Sequence, residues 1–301
     1  MFLFQLIHFY LIEMHESIGA HARYSEVLYS SLLASLYDLL VAKKLYKERN
    51  FCWSIISSFY AFEHSINTLL IMAIEPEIFA PGGVTKLWDD DKSPLKALRS
   101  HERKIKFLKG ELKEEPIYKM LYAKLYKVID PNYLEKIGKL MDMLYDLRRL
   151  LNYEGMIIAH QAREELNVRR EKMKIKDEVE EAAGVAVEVA HKINEITFEV
   201  FNKWYEKQML LIGKKLAKAY TCHLLEEVEQ FKKLVEPLGF DISHIQFLLE
   251  LLNKYHCTQS DRLQGYVIGF MSQTYDFRYK EIMYKKLINI NRELRRLIST
   301  L

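Results

Sequence analysis

Apolar residues recur every three or four positions along most of this chain, separated by short polar or proline-bearing interruptions. Between Ala20 and Tyr46, Leu28, Leu32, Leu36, Leu39 and Leu40 share one face at 3.6-residue spacing, which predicts an amphipathic helix. The polar positions 47–50 connect it to a second helix over about 51–74. Pro76, Pro81, the Gly82-Gly83 pair and Asp89 to Asp91 then form the longest irregular stretch, read as a loop able to move on binding. Ser93-Pro94 reopens a helix running to about Leu112, and Pro116 after Glu115 restarts a shorter one. Asp130-Pro131 begins a helix that reaches Asn152 by the same capping logic.

The charged stretch from Arg163 to Glu181 reads equally as solvated helix or as a connection, and helix resumes over Ala182 to Tyr205. A break is expected near Gly213 and a firm stop at Pro237 to Gly239. Asp241 or Ser243, then Ser260 or Asp261, cap two further helices, and a last helix covers about Phe277 to Ser299. No internal repeat or sustained heptad is present.

Composition agrees with this pattern. The 301 residues hold 11 glycines and 6 prolines, against an average share of roughly 12% for the two together. That shortage of turn formers excludes collagen-like and loop-rich scaffolds and argues against a many-stranded β sandwich. The fold class is all-α, with half the residues hydrophobic and 28% charged, a globular balance. A net charge of +3 does not by itself imply a nucleic-acid partner.

Phe2 to Ile12 is apolar but too short to span a bilayer, which needs roughly 20 apolar residues, and it lacks a basic leader. The expectation is no membrane insertion. The segment is read either as a helix packing on the body or on a second subunit, or as an upstream extension with Met14 the native start. Cys52, Cys222 and Cys257 are odd in number and widely spaced, which fits reduced thiols in a cytoplasmic protein and neither a disulfide frame nor a zinc site.

Two helical faces carry out-of-place charges. Ile137, Leu140, Met141, Leu144, Leu147 and Leu151 form an apolar stripe into which Arg148 falls, with Asn152 at its edge. On the second helix, Glu63 falls among Cys52, Ile56, Phe59, Ile66 and Leu70. A buried charge needs a partner, so Glu63 and Arg148 are expected to approach each other across packed helices. The plainer alternative has Arg148 snorkelling at the margin of its stripe.

The run from Ser57 to Leu70, with Tyr60, Glu63 and His64, and the run from Leu147 to Gly155, with Arg148, Asn152 and Tyr153, resemble the HEPN superfamily (higher eukaryotes and prokaryotes nucleotide-binding domain). The resemblance covers about 20–205, or two-thirds of the chain. It implies an antiparallel HEPN-like helical bundle, often a homodimer, followed by an additional C-terminal helical region over 206–301 and preceded by the hydrophobic segment 1–19. It also implies that Arg148, Arg149, Asn152, Tyr153, Glu63 and His64 line a ligand cleft for RNA or a nucleotide. Family ribonucleases add a His four to six residues after the Arg. Here Tyr153 takes that place, and a phenol of pKa about 10 is a poor proton shuttle at neutrality. Arg148, Asn152 and Tyr153 remain as weak catalytic candidates.

From Lys92 to Lys127 there are eleven basic residues against four acidic, with Tyr118, Tyr122 and Tyr126 at i, i+4 and i+8. Lys96, Arg99, Arg103, Lys104 and Lys106 would hold nucleic-acid backbone; the alternative is a solvated face whose tyrosines pack inward. Glu188 and His191 form one Glu-x-x-His, short of the two pairs a di-iron bundle uses, so no metal and no cofactor are expected. The function expected is a nucleic-acid- or nucleotide-binding module without robust catalysis. A protein-interaction scaffold engaging a partner protein and a metal-independent endoribonuclease are the alternatives.

Overall fold

The computed structural model describes residues 28, 30–74, 98–127, 129–151, 169–211, 214–240, 242–253, 256–259, 288, 290 and 292. All regular secondary structure among them is helical. The elements are α1 (30–47), α2 (Phe51–Met72), α3 (His101–Leu108), α4 (Pro116–Leu125), α5 (Pro131–Arg149), α6 (Arg169–Leu211), α7 (Lys214–Val235), a 3-10 turn (Glu236–Leu238) and α8 (Ser243–Asn253). No described helix is long and apolar enough to cross a membrane.

α2 is the central helix. It is buried on nearly every side and packs on α6, α5 and α4. The predicted α1 stripe is inside: Leu28, Leu32, Leu36, Leu39 and Leu40 are all buried. α1, α2 and α6 approach closely along a seam of small side chains that includes Ala61, Ala190, Ser35 and Ser65. Asn194 Nδ2 donates to Ser35 Oγ (2.9 Å) and Ser65 Oγ (3.4 Å), tying the three helices together at one level. Buried polar groups need such partners to offset lost hydration.

The start signals at Pro116 and Asp130-Pro131 hold. Asp130 accepts from the backbone N–H of Asn132 and Tyr133, and Pro131 opens α5. The stop at Pro237 to Gly239 holds too, with Gly239 left-handed at φ 72°. α6 ends at Leu211 and α7 begins at Lys214, flanking Gly213. The structure corrects two expectations. Residues 98–100 form a turn, so helix restarts at His101 and stops at Leu108, where Gly110 (φ 80°) reverses the chain. Of the two readings of the charged stretch, the structure takes the helix from Arg169 onward: α6 runs unbroken for 43 residues, with no proline to interrupt it. Glycine at 184 leaves room for Tyr46, whose hydroxyl would stand 3.2 Å from a Cβ there.

The second correction concerns the thiols. Cys222 and Cys257 are joined as a disulfide, with Cα atoms 5.7 Å apart across 35 positions. The turn at 236–239 folds α8 back along α7, which brings two cysteines that are remote in sequence together. Cys52 is free and exposed. The segments holding Lys96, Asn152 and Tyr153, the loop at 75–97, the apolar N-terminus and nearly all of the last predicted helix lie outside the described residues.

Candidate functional site

The functional candidates meet where α2, α3 and α5 converge. Gly138 makes this possible: a Cβ there would stand 2.7 Å from Lys109 N and 2.8 Å from the Leu108 carbonyl carbon. Only glycine lets α5 press against the end of α3 at that level. α3 then aims His101 and Lys104, one turn apart, at α2.

Glu63 is 7% exposed and Lys104 is 2% exposed. Lys104 Nζ donates to Glu63 Oε1 at 2.7 Å, and His101 Nδ1 stands 2.8 Å from the same oxygen. The imidazole approaches off the ideal line, so Nδ1 makes no well-directed hydrogen bond. Burial pushes the Glu63 carboxyl up, but the His101 contact and the Lys104 charge outweigh it and hold the group at about 2. A paired, buried carboxylate of this kind is ionised at any physiological pH.

The expected Glu63–Arg148 pairing is not made. Lys104, turned inward on α3, takes the carboxylate instead. Arg148 instead lies over two aromatic rings, with Cζ 5.0 Å from the Phe59 centroid and 4.9 Å from that of Tyr60. Its Nη2 donates to Tyr60 Oη at 2.8 Å, while its buried Nε has no hydrogen-bond partner. Arg149 is exposed, 5.8 Å over the Tyr145 ring. Neither arginine has a carboxylate partner among the described residues. Phe59 links the two halves of the cluster: the His101 ring meets it at 5.4 Å and Tyr145 at 5.3 Å. Leu150 and Leu151 close α5 with a π turn, a feature frequent at functional sites.

His64 points elsewhere. Its Nε2 stands 3.5 Å from Asp38 Oδ2 on α1. Of the residues expected to hold nucleic-acid backbone, Arg99, Arg103 and Lys106 are exposed. Arg103 is engaged locally by Tyr118 Oη (3.0 Å) and Glu115 (2.7 Å). Lys104 cannot serve, because the amphipathic phase of α3 turns it inward beside Ile105 and Leu108. The tyrosines of α4 also pack inward: Tyr118 and Tyr122 are buried against Phe107, and the Tyr122 hydroxyl donates to its carbonyl. They offer no stacking surface. Glu188 lies between α5 and α6 while His191 faces Glu195 at 3.6 Å, and no group of three metal-ligating side chains is found among the described residues.

His101, Tyr145 and the Phe59–Tyr60 pair were missed as site residues. The signal was present: His101 and Lys104 are spaced to share the buried face of α3 with Ile105 and Leu108, so two polar groups sat on an apolar phase. No family model, curated protein or solved structure matches the chain.

Proposed function

We propose that this protein is an HEPN-like module that binds RNA or a nucleotide through its phosphate, with Arg148 and Arg149 as the anion receptor. The observation that carries this reading is the state of Arg148: a partly buried guanidinium stacked on two rings, with Nε unpaired and no carboxylate among the described residues to neutralise it. A buried charge without a counter-ion is costly unless an anion completes it. A guanidinium is also suited to phosphate, since it cannot lose its proton and presents a planar fork of donors. Arg149 and the exposed Arg99 and Lys106 add positive field on the neighbouring surface.

The test is binding of a short single-stranded RNA, and separately of a nucleoside triphosphate, across a salt series. Affinity should fall steeply with salt and fall further in Arg148→Ala/Arg149→Ala, with helicity by circular dichroism unchanged. No binding of either ligand at low salt rejects this reading in favour of a scaffold that engages a partner protein. A homodimer and a cytoplasmic location accompany the proposal. The dimer is checked by light scattering, and the location requires Cys222 and Cys257 to be reduced in the cell.

One observation favours the ribonuclease as a second reading. His101 supplies an imidazole in space that the sequence after Arg148 lacks, braced by Glu63 at 2.8 Å and sharing the Phe59 ring with Arg148. RNA cleavage in the presence of EDTA, abolished by His101→Ala while binding persists, would establish it. Intact RNA after prolonged incubation leaves the module a binder.

A further inference from the structure

One line along α2 escapes burial. From Trp53 onward, only Trp53, Ser57, Tyr60, His64 and Asn67 of this helix are not buried, and they fall at i, i+4, i+7, i+11 and i+14. That spacing puts all five on a single face. All five are polar or aromatic, in a helix whose other positions here belong to the core. The line is the floor of a furrow between α1 and α5. On one side His64 faces Asp38 of α1 at 3.5 Å; on the other Tyr60 Oη accepts from Arg148 of α5 at 2.8 Å.

Trp53 is the outlier on this line. Its indole is 58% exposed and has no ring or hydrogen-bond partner among the described residues, although tryptophan is highly buried on average. A bare indole is unfavourable in water and suited to stack on another flat, apolar face. It stands two helical turns, about 10 Å of rise, before Tyr60 and so before the guanidinium that Tyr60 holds. Past Trp53, the connection between α1 and α2 exposes Lys47 and Arg49, with Glu48 between them and Glu180 meeting Arg49 only at 3.8 Å. At the opposite end, Asp38 beside His64 sets a carboxyl group against any anion. The positive part of the furrow therefore runs from Arg148 towards Trp53 and not towards His64. An indole this open cannot enclose a free nucleotide, which needs most of its surface covered. A strand instead adds weak contacts along its length, alternating charge and stacking.

We propose that the ligand of the anion site is a single strand of RNA, with one phosphate on Arg148 and the base of a neighbouring nucleotide stacked on Trp53. This rests on the anion site proposed above and adds to it the class of ligand and the residue that receives the base. Stacking on an open ring accepts any base, so the strand is held with little sequence preference.

The test uses the full 301-residue chain with two labelled probes, an oligoadenylate of about nine nucleotides and a ribose-phosphate strand of the same length without bases. Binding is followed by fluorescence anisotropy across a salt series. Trp53→Ala should weaken oligoadenylate binding at least about fivefold, leave the baseless strand unaffected and leave the salt dependence unchanged. Arg148→Ala/Arg149→Ala should weaken both strands and lessen the salt dependence. Unchanged oligoadenylate binding by Trp53→Ala overturns the proposal, while the arginine variant still reports on the anion site by itself. Equal losses on both strands overturn it too, since Trp53 then acts through the fold. A nucleoside triphosphate that loses as much affinity as the strand on Trp53→Ala overturns the strand as ligand. A wild-type chain that binds neither strand removes the anion site and this proposal with it. Should Trp53→Ala lose helicity, tryptophan emission decides: oligoadenylate should quench the wild-type chain, the baseless strand should not, and the quenching should diminish in Trp53→Phe. Equal quenching in those two chains overturns the base contact.

Discussion

Lys104 closes a buried ion pair with Glu63 across 41 positions of sequence, Nζ to Oε1 at 2.7 Å. The pair joins α3 to α2, and nothing else among the described residues neutralises either charge apart from His101. Removing one member strands the other in the core. Lys104→Met should cost about 3–5 kcal/mol, read from urea unfolding, while Glu63→Gln with Lys104→Met should recover most of that loss. A double variant as unstable as the single one would show that packing, not charge, sets the cost.

The same pair fixes a pH response. Glu63 titrates in the folded chain at about 2, below its ordinary 4.5, because His101 and Lys104 override the upward push of burial. A depressed folded pKa contributes stability that is complete above the unfolded value and lost as pH falls through the folded one. The window is therefore about pH 4.5 down to 2. Glu63→Gln should flatten the fall in stability across that window, measured by urea midpoints at half-unit steps.

Arg148 separates function from folding. Its guanidinium has stacking and one hydroxyl partner but no counter-ion among the described residues, so Arg148→Met, which keeps the length and the ring contacts, should change stability by less than about 1 kcal/mol. RNA or nucleotide affinity should drop at least about tenfold, or about 1.4 kcal/mol, if the proposed phosphate contact is made. A large stability loss with unchanged binding would assign Arg148 to the core instead.

Much of the fold could be read from periodicity and punctuation. The Leu28–Leu40 stripe, the caps at Asp130-Pro131 and the stop at Pro237 depend on local chemistry, which a sequence displays directly. The buried ion pair could not, because Glu63 chose Lys104 over Arg148 through the tertiary placement of α3. That placement depends on Gly138, whose role is a backbone contact with Leu108 and Lys109 and not a turn. The disulfide was hidden for a similar reason. Spacing of 35 positions says nothing until the 236–239 turn is known to fold α8 onto α7. Arg148 was legible as an anomaly on its stripe, but its aromatic partners on α2 were not.

The disulfide gives a redox prediction. A bond closing a 35-residue loop is expected to contribute about 4 kcal/mol by restricting the unfolded chain. A phosphine reductant should lower the stability of the wild-type C-terminal hairpin by up to that amount. Cys222→Ala/Cys257→Ser should start lower and show no response. The contacts of this hairpin with α1, Lys44 Nζ to the Leu238 carbonyl at 2.8 Å and Tyr37 against Phe231 and Phe240, provide a readout: proteolysis between α7 and α8 should accelerate on reduction. Identical cleavage rates in both states would mean that packing alone holds the hairpin.

Asp38 provides a pH dependence of opposite sign. Burial raises its carboxyl from 3.8 to about 6, and burial likewise lowers His64, 3.5 Å away, with Glu63 opposing and Lys104 assisting that fall. The folded chain binds the Asp38 proton more tightly than the unfolded chain. Its contribution to stability is therefore greatest below about pH 4 and is lost as pH rises towards 6. Above that, the chain carries a poorly solvated carboxylate whose neutral neighbour, His64, does not compensate it. Asp38→Asn removes the ionisation and should stabilise the protein by about 1–3 kcal/mol at pH 8, with the gain vanishing near pH 4. Urea midpoints at the two pH values test this. A difference that stays constant between pH 4 and 8 would mean that His64 remains protonated in the folded chain and meets Asp38 as an ion pair.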